Sequence, residues 1–198
     1  MERMTRRAAG VLGLGGIAGL AGCTVATPLD DPQPDLGTFQ LVAPIVVTDT
    51  MKKIPPSRDA SGEEWEASLK GAIRARFGGY GGGRDYYIAV AVDGYALAPP
   101  GVPVVLTPKS LLVVTANLWT ARPQEKVLGP TQLTVFEGPE GLIIGSGLIK
   151  SAEEQREALA LNMAFRIQRW IGETPSVVAP DVRSSASSDA SPRGITDG

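Results

Sequence analysis

Apolar and polar positions alternate along this chain in blocks that predict its elements one after another. Residues 39–48 gather Val42, Ile45, Val46 and Val47, the β-branched composition of a strand. Pro44 within that run cannot donate a ladder hydrogen bond, which places the strand at a sheet edge or on a bulge. Residues 48–60 form a polar loop with Pro55 and Pro56. At Ser61-Gly62-Glu63-Glu64 the pattern changes: a serine hydroxyl can accept from an early helical amide while Glu64 reaches back, a capping box. Trp65, Leu69, Ala72, Ile73 and Phe77 then recur at helical spacing on one face. Gly78 and Gly79 end that helix.

After the glycine-rich stretch 78–83 the period becomes two. In residues 86–97, Ile88, Val90 and Val92 share one face, with Tyr87, Ala89, Ala91 and Asp93 on the other. In residues 109–121, Leu112, Val114, Ala116 and Leu118 stand opposite Val113, Thr115, Asn117 and Trp119. Residues 131–149 predict a hairpin that turns at Gly138-Pro139-Glu140-Gly141. Such alternation is that of an antiparallel sheet with one face covered and the other wetter. Ser151-Ala152-Glu153-Glu154 is a second capping box and opens a long helix with Leu159, Met163, Ile167 and Trp170 as its apolar stripe.

The order β-α-β-β-β(-β)-α predicts an α+β two-layer sandwich: a mostly antiparallel sheet of four to five strands with two helices on one face. The globular domain is expected over residues 39–172. Residues 173–198 are rich in Ser, Ala, Asp and Pro, with too few large apolar groups to offset ordering entropy, and are expected to form a disordered tail.

The first 38 residues follow a different logic. Arg3, Arg6 and Arg7 precede an apolar run over residues 8–18, and small residues from Gly19 to Gly22 lead to Cys23. That is a secretory signal, too short and glycine-rich to span a bilayer as a helix. The pair Arg6-Arg7 also suits twin-arginine export. Residues 23–38, with Pro28, Pro32 and Pro34 among Asp30, Asp31 and Asp35, are expected to form a semi-extended tether.

Leu20-Ala21-Gly22-Cys23 resembles the lipobox of bacterial lipoproteins, with residues 1–22 as the signal peptide. The resemblance implies that the Cys23 thiol carries a diacylglyceryl group, that the chain is cut before it, and that the new amine is acylated, for example with palmitate. One acyl chain gives only marginal membrane binding, at about 0.8 kcal/mol per buried methylene, whereas two or three give a durable anchor. Thr24 in place of aspartate implies the outer membrane, facing the periplasm. The layout of the domain is similar to that of small Gram-negative envelope lipoproteins of the lipopolysaccharide-assembly and transport-auxiliary types. That likeness brings no functional residue beyond Cys23.

Composition narrows the chemistry. The chain has 198 residues with 19 basic and 21 acidic side chains. Three arginines and one glutamate precede Cys23, so the mature chain carries about −4 and offers no basic face for nucleic acid. Histidine is absent and Cys23 is the single cysteine. This removes the commonest general base, the commonest metal ligand and the Ser-His and Cys-His nucleophiles. Glu63 and Glu64 are explained by the helix dipole rather than by acid–base chemistry. Gly145-Ser146-Gly147 lacks the third glycine of a dinucleotide fingerprint.

The reading is therefore a non-catalytic protein, not an enzyme, without metal or cofactor, attached to the membrane through Cys23 and binding an envelope protein partner as an accessory or assembly factor. A second reading is a module for an amphiphile, lipid or glycan. Tyr80, Arg84, Tyr87 and Trp119 are the candidate ligand or partner contacts, as aromatic and cationic groups near an exposed sheet face.

Overall fold

The computed structural model describes residues 33–100, 110–137 and 150–174. Seven elements follow in order: β1 (Phe39–Val47), β2 (Lys52–Lys53), α1 (Gly62–Phe77), β3 (Arg84–Ala96), β4 (Leu111–Thr120), β5 (Lys126–Phe136) and α2 (Ala152–Gly172). Cys23, the turn at 138–141, Gly145-Ser146-Gly147 and residues 175–198 lie outside the described residues.

The sheet has five strands, in the order β1-β3-β4-β5, and the short β2 pairs with β3 beyond the end of β1. The α+β architecture and the element order are those expected from the alternation. The difference is β1, which with β2 pairs in parallel with β3, while β3–β4 and β4–β5 are antiparallel. The connection explains it. A strand joined to its neighbour through a helix is returned to the end it left, so the pair runs parallel.

Each helix starts where its capping box predicts. Glu64 N–H donates to Ser61 Oγ at 3.2 Å and Ser61 N–H to Glu64 Oε2 at 2.7 Å. The same reciprocal bonds join Ser151 and Glu154 at 3.1 and 2.6 Å. The helices run parallel to one another. Arg156, early in α2, donates to Ser68 and Glu64 early in α1, and Arg76 late in α1 donates to Gln168 late in α2.

Both helices pack on the same sheet face. The core joins Trp65, Leu69, Ile73 and Phe77 of α1 and Leu159, Met163 and Ile167 of α2 to Ile88, Val90 and Val92 of β3 and Leu112, Val114 and Leu118 of β4. Fully burying one such side chain is worth about 1.5–3 kcal/mol, so this face dominates the stability. The α2 stripe ends on Ile171, which is buried, while Trp170 is only half-buried.

At one end Phe39 stacks on Tyr86 at 5.0 Å and meets Phe77 and Tyr80 edge-on or tilted at 5.6 and 5.8 Å. Leu36, in the stretch read as tether, is fully buried against this core. The glycine-rich connection here has a steric purpose. A Cβ on Gly82 would lie 2.2 Å from the Thr38 carbonyl, so only glycine lets Gly82 N–H reach Phe39 O at 3.1 Å.

β5 begins at Lys126, earlier than the expected Thr131, and takes Gly129 and Pro130 into its length through register shifts against β4.

Candidate functional site

The helices cover one parity of the central strands and leave the other. On β3 the uncovered positions are Tyr87, Ala89, Ala91 and Asp93, and on β4 Val113, Thr115, Asn117 and Trp119; all are half-buried in alternation with fully buried neighbours. Among the described residues no element packs over this face.

Register decides what sits together there. Tyr87 and Trp119 are paired residues of β3 and β4, so their side chains emerge as cross-strand neighbours. The Lys126 ammonium lies 5.9 Å from the centre of the Trp119 ring. A cation over an indole face at that distance is attracted by the ring quadrupole. Further along, Asp93 accepts from Thr115 Oγ1 at 2.8 Å and from Gln132 Nε2 at 3.2 Å. The open face thus has an aromatic end, a floor of alanines and a polar cluster.

Tyr80 and Arg84 are elsewhere. Tyr80 lies beyond α1, packed on Phe39 and Phe77. Its hydroxyl donates to Pro34 O and accepts from Gln168 Nε2, both at 2.7 Å, and burial pushes its pKa up. It ties the incoming chain to the domain. The Arg84 guanidinium lies 5.7 Å from the ring of Tyr86, which belongs to the buried parity. Of the four candidate contacts, the structure brings Tyr87 and Trp119 together and separates Tyr80 and Arg84 from them.

The sheet edge adds a feature that the candidate residues did not include. β1 pairs on one side with β3; on the other its first residues meet the glycine-rich connection through an antiparallel bridge of Gln40 with Gly81, and among the described residues nothing pairs with that side beyond it. Its nine residues, FQLVAPIVV, carry no charge, and Val42, Ile45 and Val47 are 45, 46 and 44 % exposed. Ile54 continues this apolar margin at 39 %. It is held by its N–H bond to Tyr95 O at 2.8 Å, and Gly94 leaves room for it, since a Cβ there would lie 3.2 Å from Ile54 Cδ1. Pro44 was the signal in the sequence for an edge.

On the helical side, α1 from Glu64 to Ala75 and the first half of α2 frame a groove of about 520 Å³ lined by Ala67, Gly71, Ala75, Glu153, Arg156 and Leu161 among others. Among the described residues no group of three or more acidic, histidine or cysteine side chains is placed to hold a metal ion. No helix among them is long and apolar enough to cross a membrane.

An α+β sandwich with one sheet face that no described element covers is a class of scaffold on which many functions are built. No protein-family model matches the chain, and no curated protein matches it by sequence. Among solved structures it is similar to the PelC dodecamer from Paraburkholderia phytofirmans, at 17 % identity over 66 % of this chain and 90 % of that one, with a TM-score of 0.37. It is also similar to a candidate lipoprotein from Caulobacter crescentus, at 16 % identity over 66 % and 93 %, TM-score 0.33. A minor lipoprotein from Acinetobacter baumannii follows at 19 % identity over 65 % and 92 %, TM-score 0.29. At these identities and scores the likenesses transfer neither a residue nor a role to this chain.

Proposed function

We propose that this protein is a lipid-anchored lipoprotein of the cell envelope, held by Cys23 at the outer membrane and facing the periplasm. It is not an enzyme; it works as an accessory or assembly factor that docks an envelope protein through the uncovered side of its sheet. The observation that carries the docking role is that uncovered side, where Tyr87 and Trp119 stand together and the sheet ends on an uncharged apolar strand. Contiguous apolar surface of this kind marks interaction sites on soluble domains. The anchor rests on Leu20-Ala21-Gly22-Cys23. From Cys23 to Gln33 the chain can reach at most about 35 Å, enough to lift the domain clear of the headgroups.

Membrane fractionation of wild type and Cys23→Ala tests the anchor: the wild type is expected in the membrane pellet and the variant in the soluble fraction. A variant that stays in the pellet removes the lipid reading. For the docking role, cross-linking in gently solubilised membranes is expected to capture an envelope protein, and Trp119→Glu to abolish the capture. Capture that is unchanged in Trp119→Glu counts against the open face.

A second reading is favoured by the ammonium of Lys126 over Trp119, an arrangement suited to an amphiphile with an anionic head and an apolar body. Native mass spectra of the purified protein free of bound lipid or glycan exclude it.

A further inference from the structure

We infer that the free edge of β1 takes up an extended segment of the partner by strand addition, and that this segment carries alternating apolar side chains and a carboxylate where it passes Lys52. This deepens the docking reading and rests on it.

The argument starts from what edge strands ordinarily carry. Unpaired backbone groups on an edge invite other strands, and proteins guard them with charges, prolines, bulges or a covering loop. β1 has a bulge between Leu41 and Ala43 and then Pro44, so its first half is guarded. From Ile45 onward the guard stops. Ile45 and Val47 share the open-face parity, because they pair with Ala89 and Ala91 of β3. Both are nearly half exposed. An added strand would therefore extend the apolar face that Tyr87 and Trp119 begin, instead of ending in water.

The next charge along this lane is positive. β2 occupies the same side of β3 as β1, with Val47 opposite Ala91 and Lys52 opposite Gly94. A strand that pairs along Ile45–Val47 and continues in the same direction thus reaches β2. Lys53 there is already paired with Asp59, which raises its pKa. Lys52 is exposed and makes no ion pair among the described residues. The edge therefore offers backbone pairing, apolar contacts at every second position and one cation at the end. That is the recognition chemistry of β-augmentation, with main-chain bonds for affinity and side-chain sites for specificity.

A second copy of the chain suits this edge less well. Two β1 strands paired antiparallel about their middles would place both Pro44 residues near the centre. Proline keeps to positions whose N–H side faces away from a ladder, so both strands would lose donors where pairing should be tightest.

The test uses the detergent-purified lipoprotein and, as probe, a synthetic heptapeptide of alternating threonine and valine ending in glutamate. Hydrogen exchange over residues 45–47 is expected to slow on adding the peptide, and to do so at the Val46 amide, whose neighbours Ile45 and Val47 already face β3. Ile45→Lys, an exposed position whose charge restores a guard, is expected to weaken binding about tenfold or more. A peptide ending in lysine is expected to bind more weakly to wild type and to recover on Lys52→Glu. Absence of binding, or binding with unchanged exchange at 45–47, overturns strand addition. So does concentration-dependent self-association that protects 45–47 without peptide, which gives the edge to a second copy. Partner capture from membranes with unchanged exchange at 45–47 in the complex sinks strand addition and leaves the docking role standing. Peptide binding with slowed exchange at 45–47, but without any captured partner, supports the edge and removes the docking role as first stated.

Discussion

Replacing Phe39 with alanine tests the packing that fixes the start of β1 and the arriving chain. Phe39 is fully buried, with its ring 5.0 Å from Tyr86, 5.6 Å from Phe77 and 5.8 Å from Tyr80. Truncating a buried phenylalanine costs about 3–5 kcal/mol in lost transfer energy and residual cavity. The aromatic pairs add roughly 0.5–1.5 kcal/mol beyond area, shared among partners that are not independent. A loss of about 4 kcal/mol is the central expectation, a large part of the 5–15 kcal/mol that holds a typical domain. For a domain of this size it lowers Tm by about 10–20 °C. Phe39→Leu keeps most of the buried volume but loses the stacking, and is expected to cost about 1–2 kcal/mol. Urea unfolding followed by tryptophan fluorescence measures both, with the slope m unchanged if the compactness of both states is preserved. A loss below about 1 kcal/mol for Phe39→Ala, or equal losses for the two variants, refutes the reasoning.

Two further outcomes follow from charged groups. The Ser61 and Ser151 capping bonds hold the Glu64 and Glu154 carboxyls below the usual value of 4.5, so their contribution is present above that value and lost as pH falls through the folded pKa. Acid unfolding is therefore expected to be shallower in a Glu64→Gln/Glu154→Gln variant than in wild type, and an equally steep acid limb contradicts it. Glu137, whose side chain is 3 % exposed, has Lys150 Nζ 3.2 Å from its Oε1. Lys150→Met leaves that carboxylate buried without its counter-ion and is expected to cost on the order of 2 kcal/mol, the partial exposure of the lysine reducing the penalty. Glu137→Gln should cost less, and the reverse order in thermal unfolding argues against the ion pair.

Much of the fold is written locally in the chain. Ser61 with Glu64 and Ser151 with Glu154 name both helix starts, and the stripe from Trp65 to Phe77 names the buried face of α1. Parity along β3 and β4 separates Ile88 from Tyr87 and Leu118 from Trp119, so the open face is legible too. What is not legible depends on pairing between distant segments. Alternation says which face a residue takes, never which strand lies beside it, so the adjacency of β1 and β3 had no local signal, although the helix between them makes the pair parallel once they meet. The meeting of Tyr87 with Trp119 is likewise a matter of register. Gly129 and Pro130 interrupt the pattern of β5 although the strand runs through them. Leu36 sits among Pro34, Asp35 and Gly37, where composition speaks for a tether. Its burial is decided by a distant segment: its Cδ2 lies so close to Gly172 of α2 that a Cβ there would be 3.3 Å away. Tyr80 and Tyr87 differ in the same way, one fastening the chain and one facing outward.

The two sides of the sheet differ in how much apolar surface the described residues leave exposed, and this is why docking is proposed for the open side. α1 and α2 lie parallel, so the positive ends of their dipoles stand together. Glu63, Glu64, Glu153 and Glu154 in the two first turns offset that repulsion. Arg156 has the wrong sign for a helix N-terminus, but Glu64 at 3.2 Å and Ser68 at 3.0 Å accept from it. The charges of Glu64 and Arg156 in the groove between the helices thus answer one another, and the rest of its α1 wall is made of small side chains such as Ala67, Gly71 and Ala75. On the sheet side, Asp93 is answered by Thr115 and Gln132, while Tyr87 and Trp119 are half-buried and Ile45 and Val47 present exposed apolar surface. A partner gains free energy by removing apolar area from water and by completing an open ladder, not by exchanging ion pairs already made. The sheet side offers both gains at adjacent positions.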